Sequence, residues 1–289
     1  MKRRISCLTA LLIVFCLLLN QSALALAAPV AENQEISTYR GISVGGTLVA
    51  VTPDGGPVSF RITTEPSKGS VELGETGEFV YTPNEKSRGR DYFGYRATDS
   101  SGQESREATV IIRLCRQKTK LRYADTKGES CDYAAHALAE AGLFRGAELQ
   151  GQAMFEPERE MNRGEFLSLC MACADAKLLC AVDNTGYADD AALSPWLKPY
   201  VATALLEGYG SSSECSGVGD PITWAEAGEL INACFGITDV KCEEDQTQSA
   251  ANLRACGLWS DQTEKEPTAV LTRSEGARML VAAMALREK

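Results

Sequence analysis

Three tetrapeptides decide how this chain is read: Asn162-Arg-Gly-Glu165, Thr223-Trp-Ala-Glu226 and Thr272-Arg-Ser-Glu275. Each sets a side-chain acceptor first and a glutamate three residues on. That is the pattern of a capping box, in which the two residues exchange bonds with each other's backbone N–H at a helix start. One copy says little, but three say that the same helix start recurs. Apolar stripes follow: Phe166, Leu169, Cys170 and Cys173 fall at i, i+3, i+4 and i+7, and Ala277, Leu280, Val281 and Met284 repeat that spacing. Such stripes face a core.

Upstream of each start lies another helix ending at glycine, in Leu138-Ala-Glu-Ala-Gly142, Leu205-Leu-Glu-Gly208 and Leu253-Arg-Ala-Cys-Gly257. Glycine supplies the left-handed conformation that stops a helix cheaply. Gly142 precedes Asn162 by 20 residues, whereas Gly208 precedes Thr223 and Gly257 precedes Thr272 by 15, so the first copy carries a longer loop. No single helix pair can bury such a stripe alone, so the three units are expected to pack around a shared centre.

The preceding half alternates instead. Thr47–Val51, Val58–Ile62, Glu78–Tyr81, Tyr92–Ala97 and Ala108–Ile112 read as strands, bounded by Pro53-Asp-Gly-Gly56, Ser67-Lys-Gly69 and Asp99-Ser-Ser-Gly102. Short strands at this spacing predict an antiparallel β-sandwich over 30–114. A polar linker, 115–120, would lead to the helices.

The chain starts with Lys2-Arg3-Arg4, an apolar run from Ala10 to Leu19 and Ala25-Leu26-Ala27, which reads as a cleaved export signal over 1–27. The run is too short to span a bilayer, which takes about 20 helical residues. No later segment is apolar enough, so no membrane span is expected after cleavage. Loss of the leader leaves 26 basic against 39 acidic residues, a net charge of −13. That excludes broad nucleic-acid binding, which needs a basic footprint. A single histidine, His136, removes mechanisms that need two. It lies in an alanine-rich helical stretch and reads as a packed or capping residue.

Two resemblances follow from these residues. The run Glu65-Pro-x-x-Gly69-x-Val71, Gly77-x-Phe79-x-Tyr81-x-Pro83 and Asp91-x-Phe93-x-Tyr95-x-Ala97-x-Asp99 resembles bacterial cadherin-like and immunoglobulin-like repeats of surface proteins, which implies a spacer or adhesive module. Asp54, Asp91 and Asp99 are oxygen donors of the kind Ca²⁺ takes. Turn initiation through side-chain hydrogen bonds explains them as well, and no metal is assigned.

The second half resembles the S-layer homology module, which occurs as three tandem copies. The family's aromatic-x-Asp opening matches Tyr123-Ala-Asp125 and Tyr187-Ala-Asp189, and Ile237-Thr-Asp239 lacks the aromatic. Its helix-start tryptophan is Trp196 alone, with Ser130 and Asp245 elsewhere, and its Phe-x-Pro is Phe155-Glu-Pro157. The copies would span 121–180, 184–236 and 237–289. The resemblance implies a pseudo-threefold all-α bundle that binds secondary cell-wall polysaccharide, often pyruvylated, without catalysis or cofactor.

The motif sets Arg163 and Arg273 beside helix N-termini, where free backbone N–H groups and the helix dipole favour an anion and a guanidinium adds bidentate donors. Both are expected to contact the glycan, supported by Asp125, Asp189 and Asp239. Trp196 joins this set, and Trp224, standing where the second copy lacks arginine, could stack on a sugar face. The capping residues Asn162, Glu165, Thr223, Glu226, Thr272 and Glu275 hold the helix starts. The alternative is a structural or adhesive surface protein, touching other surface proteins, whose degenerate repeats serve only assembly. An enzyme is the third reading; Glu243-Glu244 sits in a polar run where solvation explains it.

Nine cysteines remain after the leader. Cys170-x-x-Cys173 with Cys180 lacks the partners of a tetrahedral zinc set. Cys173 and Cys234 sit at matching repeat positions and suit small buried hydrophobes. Buried thiols and disulfides both stay open.

Overall fold

The structure is a computed structural model, described over residues 28–53, 55–210, 213–237, 247–255 and 266–287. The export signal, Asp54, Asp239, Glu243-Glu244, Asp245 and Gly257 lie outside the described residues.

The first half holds strands β1 (Val30–Ala31), β2 (Gln34–Tyr39), β3 (Val44–Thr47), β4 (Ala50–Val51), β5 (Val58–Thr64), β6 (Gly69–Leu73), β7 (Glu78–Pro83), β8 (Gly89–Asp99) and β9 (Ala108–Cys115). They form a four-stranded sheet in the order β2-β9-β8-β5, a three-stranded sheet β3-β7-β6, and the short pair β1-β4. Phe79, Tyr81, Phe93, Tyr95, Val110 and Ile112, all fully buried, fill the space between the sheets. The expectation of a purely antiparallel sandwich is corrected at one ladder, because β2 runs parallel to β9 from Gln34↔Val110 to Tyr39↔Cys115.

The strand expected over 47–51 is also redrawn: β3 ends at Thr47, and Leu48 drops into the core, 1% exposed. Gly45 and Gly46 lie inside β3 because neighbours leave no room for a side chain. A Cβ on Gly46 would sit 2.5 Å from the Phe79 ring, and one on Gly45 2.6 Å from Ser130 Cβ.

That second contact belongs to the junction between the halves. The Gly45 amide donates to Ser130 O (3.2 Å) and the Ser43 amide to Asp132 Oδ2 (3.1 Å), while Tyr39 packs on Tyr133 with ring centroids 5.4 Å apart. The segment 115–120 is held rather than free, since Glu140 accepts the Lys118 and Thr119 amides at 2.7 Å each.

The second half is helical. Its six α-helices among the described residues are α1 (Asp132–Glu140), α2 (Arg163–Cys173), α3 (Lys198–Leu206), α4 (Trp224–Phe235), α5 (Gln248–Ala255) and α6 (Arg273–Arg287). Gly142 (φ 76°) and Gly208 (φ 86°) end α1 and α3 in the left-handed region. The amides of Leu143 and Tyr209 then reach back to the carbonyls of Leu138 and Ala204, the Schellman closure. The longer loop of the first unit is a hairpin, β10 (Ala147–Leu149) and β11 (Gln152–Met154). Gln150 and Gly151, both at positive φ, turn it.

Candidate functional site

All three capping boxes form. Asn162 Oδ1 accepts the Glu165 amide at 2.8 Å, Thr223 and Thr272 hydroxyls accept the Glu226 and Glu275 amides at 3.4 Å, and each glutamate answers the amide of its cap. The residue before each cap does more. The Met161 amide donates to Leu271 O (3.0 Å), Leu271 to Ile222 O (2.9 Å) and Ile222 to Met161 O (3.0 Å), a closed ring of three backbone bonds. Phe166, Ala227 and Gly276, each four residues past a cap, differ in volume at the centre of this ring. A Cβ on Gly276 would meet Met161 Sδ at 2.7 Å and the Phe166 ring at 3.4 Å, so the large residue of one helix fills the room left by another.

The same cycle consumes the helix N-termini. The amides of Arg163 and Gly164 donate to Asp220 O and Val218 O, those of Trp224 and Ala225 to Ala269 O and Pro267 O, and those of Arg273 and Ser274 to Arg159 O and Pro157 O, at 2.8–3.0 Å. The first three N–H groups of each helix thus have protein partners. This corrects the expectation of free N–H groups awaiting an anion. The orphan donors of a helix start are met by the loop entering the next helix in the cycle.

The arginines are engaged as well. Arg163 binds Glu226 through Nε (3.1 Å) and Nη2, and Asp220 through Nη1 (3.2 Å). Burial raises the Glu226 pKa, but Arg163 and Thr223 outweigh it and hold the carboxyl below its ordinary value. Arg273 is 5% exposed, donates to Phe155 O (2.6 Å) and Glu156 Oε2 (2.8 Å), and lies 5.1 Å above the Phe144 ring. Trp224, 7% exposed, packs in the helical core and offers no face to a sugar, against the expectation.

The aspartates of the repeat openings act on the loops. Asp125 accepts the Phe155 and Glu156 amides (2.9 and 2.7 Å), and Asp189 accepts the Ser216 amide (2.9 Å) and hydroxyl (2.6 Å). Phe155 and Ser216 each precede a cap by seven residues, so the two carboxylates do one job at equivalent positions. Hydrogen bonds from the Ser216 hydroxyl and amide hold the Asp189 carboxyl below its ordinary value.

One groove of about 430 Å³ gathers two of the residues expected to contact the glycan, Arg273 and Trp196. Phe144, Glu156, Arg159, Glu165 and Tyr200 also line it. Trp196 is 58% exposed and meets Tyr200 edge-on at 6.3 Å between centroids. Across from them, Glu156 bridges Arg273 to Arg159 (3.9 Å), and Arg159 reaches Glu165 at 2.8 Å. Arg163 is absent from this lining. Sequence reasoning missed Tyr200 and Arg159. Tyr200 stands in the first turn of α3 and Trp196 just before its start, so the four-residue spacing brings the rings together. Arg159 carried no signal, because its partners Glu156 and Glu165 acquire meaning only once the loop is folded.

With the geometry in view, the chain can be set beside known proteins. Residues 27–114 match the bacterial cadherin-like domain. That stretch is similar to the family and covers the β-sandwich. No curated protein matches the chain. Among solved structures, human protocadherin-24 EC1-2 is 19% identical over 30% of this chain and 44% of its own, with a TM-score of 0.25. The SrpA adhesin R347E mutant from Streptococcus sanguinis is 21% identical over 34% and 63%, TM-score 0.25. An endo-fucoidan hydrolase from glycoside hydrolase family 107 is 15% identical over 33% and 14%, TM-score 0.27. The chain thus spans less than two thirds of the length of each of these three.

The cadherin-like domain is consistent with an extracellular or surface location and a non-catalytic module. Its carboxylates hold turns: Asp91 accepts from Ser67 N, Ser67 Oγ, Lys68 N and Tyr81 Oη at 2.8–3.0 Å, and Asp99 from Ser101 N and Gln103 N at 2.9 Å. His136, 1% exposed, places Nδ1 2.8 Å from Asp132 O and its ring edge-on to Tyr123, a packed helical residue. No helix among the described residues is long and apolar enough to cross a membrane.

Proposed function

We propose that the protein is a non-catalytic surface protein whose helical half holds a cell-wall polysaccharide, displaying the cadherin-like domain outward. The single observation that carries this reading is the groove pairing an exposed Trp196–Tyr200 aromatic edge with the Glu156–Arg159–Glu165–Arg273 ion network. An apolar ring face of a sugar stacks on an indole, and hydroxyls need the mixed donors and acceptors opposite it. The closed ring of backbone bonds supports treating the helix pairs as three repeats of one bundle, as the S-layer homology resemblance implies. Arg159, half-exposed and set between two glutamates, is the cation an acidic substituent would recruit, by displacing a carboxylate.

A second reading, in which the repeats serve assembly alone, draws on the neutralised Arg163 and Arg273 and the buried Trp224. Sedimentation of the full chain with purified secondary wall polysaccharide separates the two. The glycan reading expects saturable binding that Trp196→Ala weakens about tenfold, as loss of one stacking contact would. Undiminished binding by Trp196→Ala moves the site out of this groove. No binding by the unaltered chain leaves assembly as the function.

A further inference from the structure

Three thiols meet inside the helical half. Cys170 on α2 is fully buried, Cys173 is 4% exposed, and Cys234 on α4 is half-buried against both helices. Cys170, Cys173 and Cys234 share one hydrophobic cluster, where Cys170 and Cys234 are near enough to shift each other's pKa, and Cys234 also packs with Tyr209 in the neighbouring cluster. Cys173 and Cys234 stand eleven residues past Asn162 and Thr223, where the third unit has Ala283. Cys170 stands eight past its cap, where the sister units have Ile231 and Leu280. All three of these counterparts are buried. Packing alone is therefore met by alanine, isoleucine or leucine at these positions, and the meeting of sulfurs across two units calls for another account. Among the described residues no three Cys, His, Asp or Glu side chains form a set that could hold a metal ion.

We propose that Cys170 and Cys234 form a reversible disulfide that staples the first helical unit to the second. Cys234, the accessible member, attacks a disulfide of an oxidised dithiol or glutathione; one donor sulfur joins Cys234 and the other leaves as a thiol, taking a proton. Cys170 loses its proton and attacks Cys234 Sγ, releasing the second donor thiol. Two protein thiols are oxidised and one donor disulfide is reduced to two thiols, so electrons and protons balance. The neighbouring Cys170 thiol lowers the Cys234 pKa, which favours the attacking thiolate. Burial raises Cys170, and burial with nearby Cys234 pushes Cys173 up to about 12. The surface location of the proposed function, on which this step rests, exposes the chain to such donors.

The test uses the reduced full chain, folded, treated with oxidised glutathione, blocked with N-ethylmaleimide and mapped by mass spectrometry without reduction. The proposal expects a peptide pair joined through Cys170 and Cys234, retained in Cys173→Ser, absent in Cys234→Ala and reversed by dithiothreitol. Cys234→Ala reproduces the residue of the third unit, and circular dichroism checks its fold. The oxidised form should melt roughly 5–10 °C above the reduced one, as closure of a long loop predicts. Cys170 recovered only as the maleimide adduct, Cys234 stopped at the glutathione adduct, or a Cys173–Cys234 link would overturn the assignment. So would an unchanged melting temperature after the link has formed. Exposed Cys115, Cys180 and Cys215 take glutathione in every case and report that the reagent reacted.

Discussion

The two halves close their backbones in opposite ways. In the cadherin-like domain the open groups are met by sheet ladders many residues long, such as the seven pairs joining β8 to β9, and a buried carboxylate like Asp91 is saturated by the Ser67–Lys68 turn and the Tyr81 hydroxyl of the same domain. In the helical half the helices look after their own amides except at the starts of α2, α4 and α6, where a loop from another unit supplies the carbonyls. Redundancy protects the first arrangement; the second hangs on single bonds in a ring. A ladder spreads the loss of one bond along its neighbours, whereas a ring concentrates it.

The largest expected effect separates the halves. Phe93→Ala in β8 and Phe166→Ala in α2 each remove a fully buried ring and should cost about 3–5 kcal/mol. Guanidinium unfolding, followed by near-ultraviolet and far-ultraviolet dichroism, should show Phe93→Ala lowering one transition and Phe166→Ala the other. A common shift of both would break the contrast and make the Ser43–Asp132 and Gly45–Ser130 contacts the seam of one unit. Smaller effects sharpen the picture within the helices. Asn162→Ala and Thr223→Ala should each destabilise the helical transition by about 1 kcal/mol and leave the sandwich transition in place, since both caps directly follow ring residues.

The smallest effect is one of pH. Hydrogen bonds from Lys198 and from the Thr185 amide and hydroxyl lower the Asp190 pKa from 3.8 to about 2. A carboxyl more acidic in the fold than in the unfolded chain stabilises above pH 3.8, and that share fades as pH falls toward 2. Melting temperatures across pH 5 to 2 should fall less steeply in Asp190→Asn than in the unaltered chain; equal slopes would remove Asp190 from the acid sensitivity.

What the sequence disclosed follows the same divide. The strands over 58–64, 78–83 and 108–115 announced themselves because alternation and turns are local. β2 did not, since Gln34-Glu-Ile-Ser-Thr-Tyr39 is mostly polar and earns its place from the parallel pairing with β9. The capping boxes were legible because both partners lie three residues apart. The carbonyls of Val218, Pro267 and Pro157 that quench the helix amides were not, because a carbonyl carries no side-chain signature. That omission misdirected the anion expectation for Arg163 and Arg273, whose partners Glu226 and Glu156 lie 63 and 117 residues away.

The ring of Met161, Ile222 and Leu271 has no beginning, and this shapes how the chain can mature. Until the segment around Leu271 is synthesised, the amides of Trp224 and Ala225 face water, and Met161 lacks its acceptor. A nascent chain holding two thirds of the helices therefore owns no stable subassembly of this kind, and a nonsense codon at or before Leu271 removes the hub rather than a third of it.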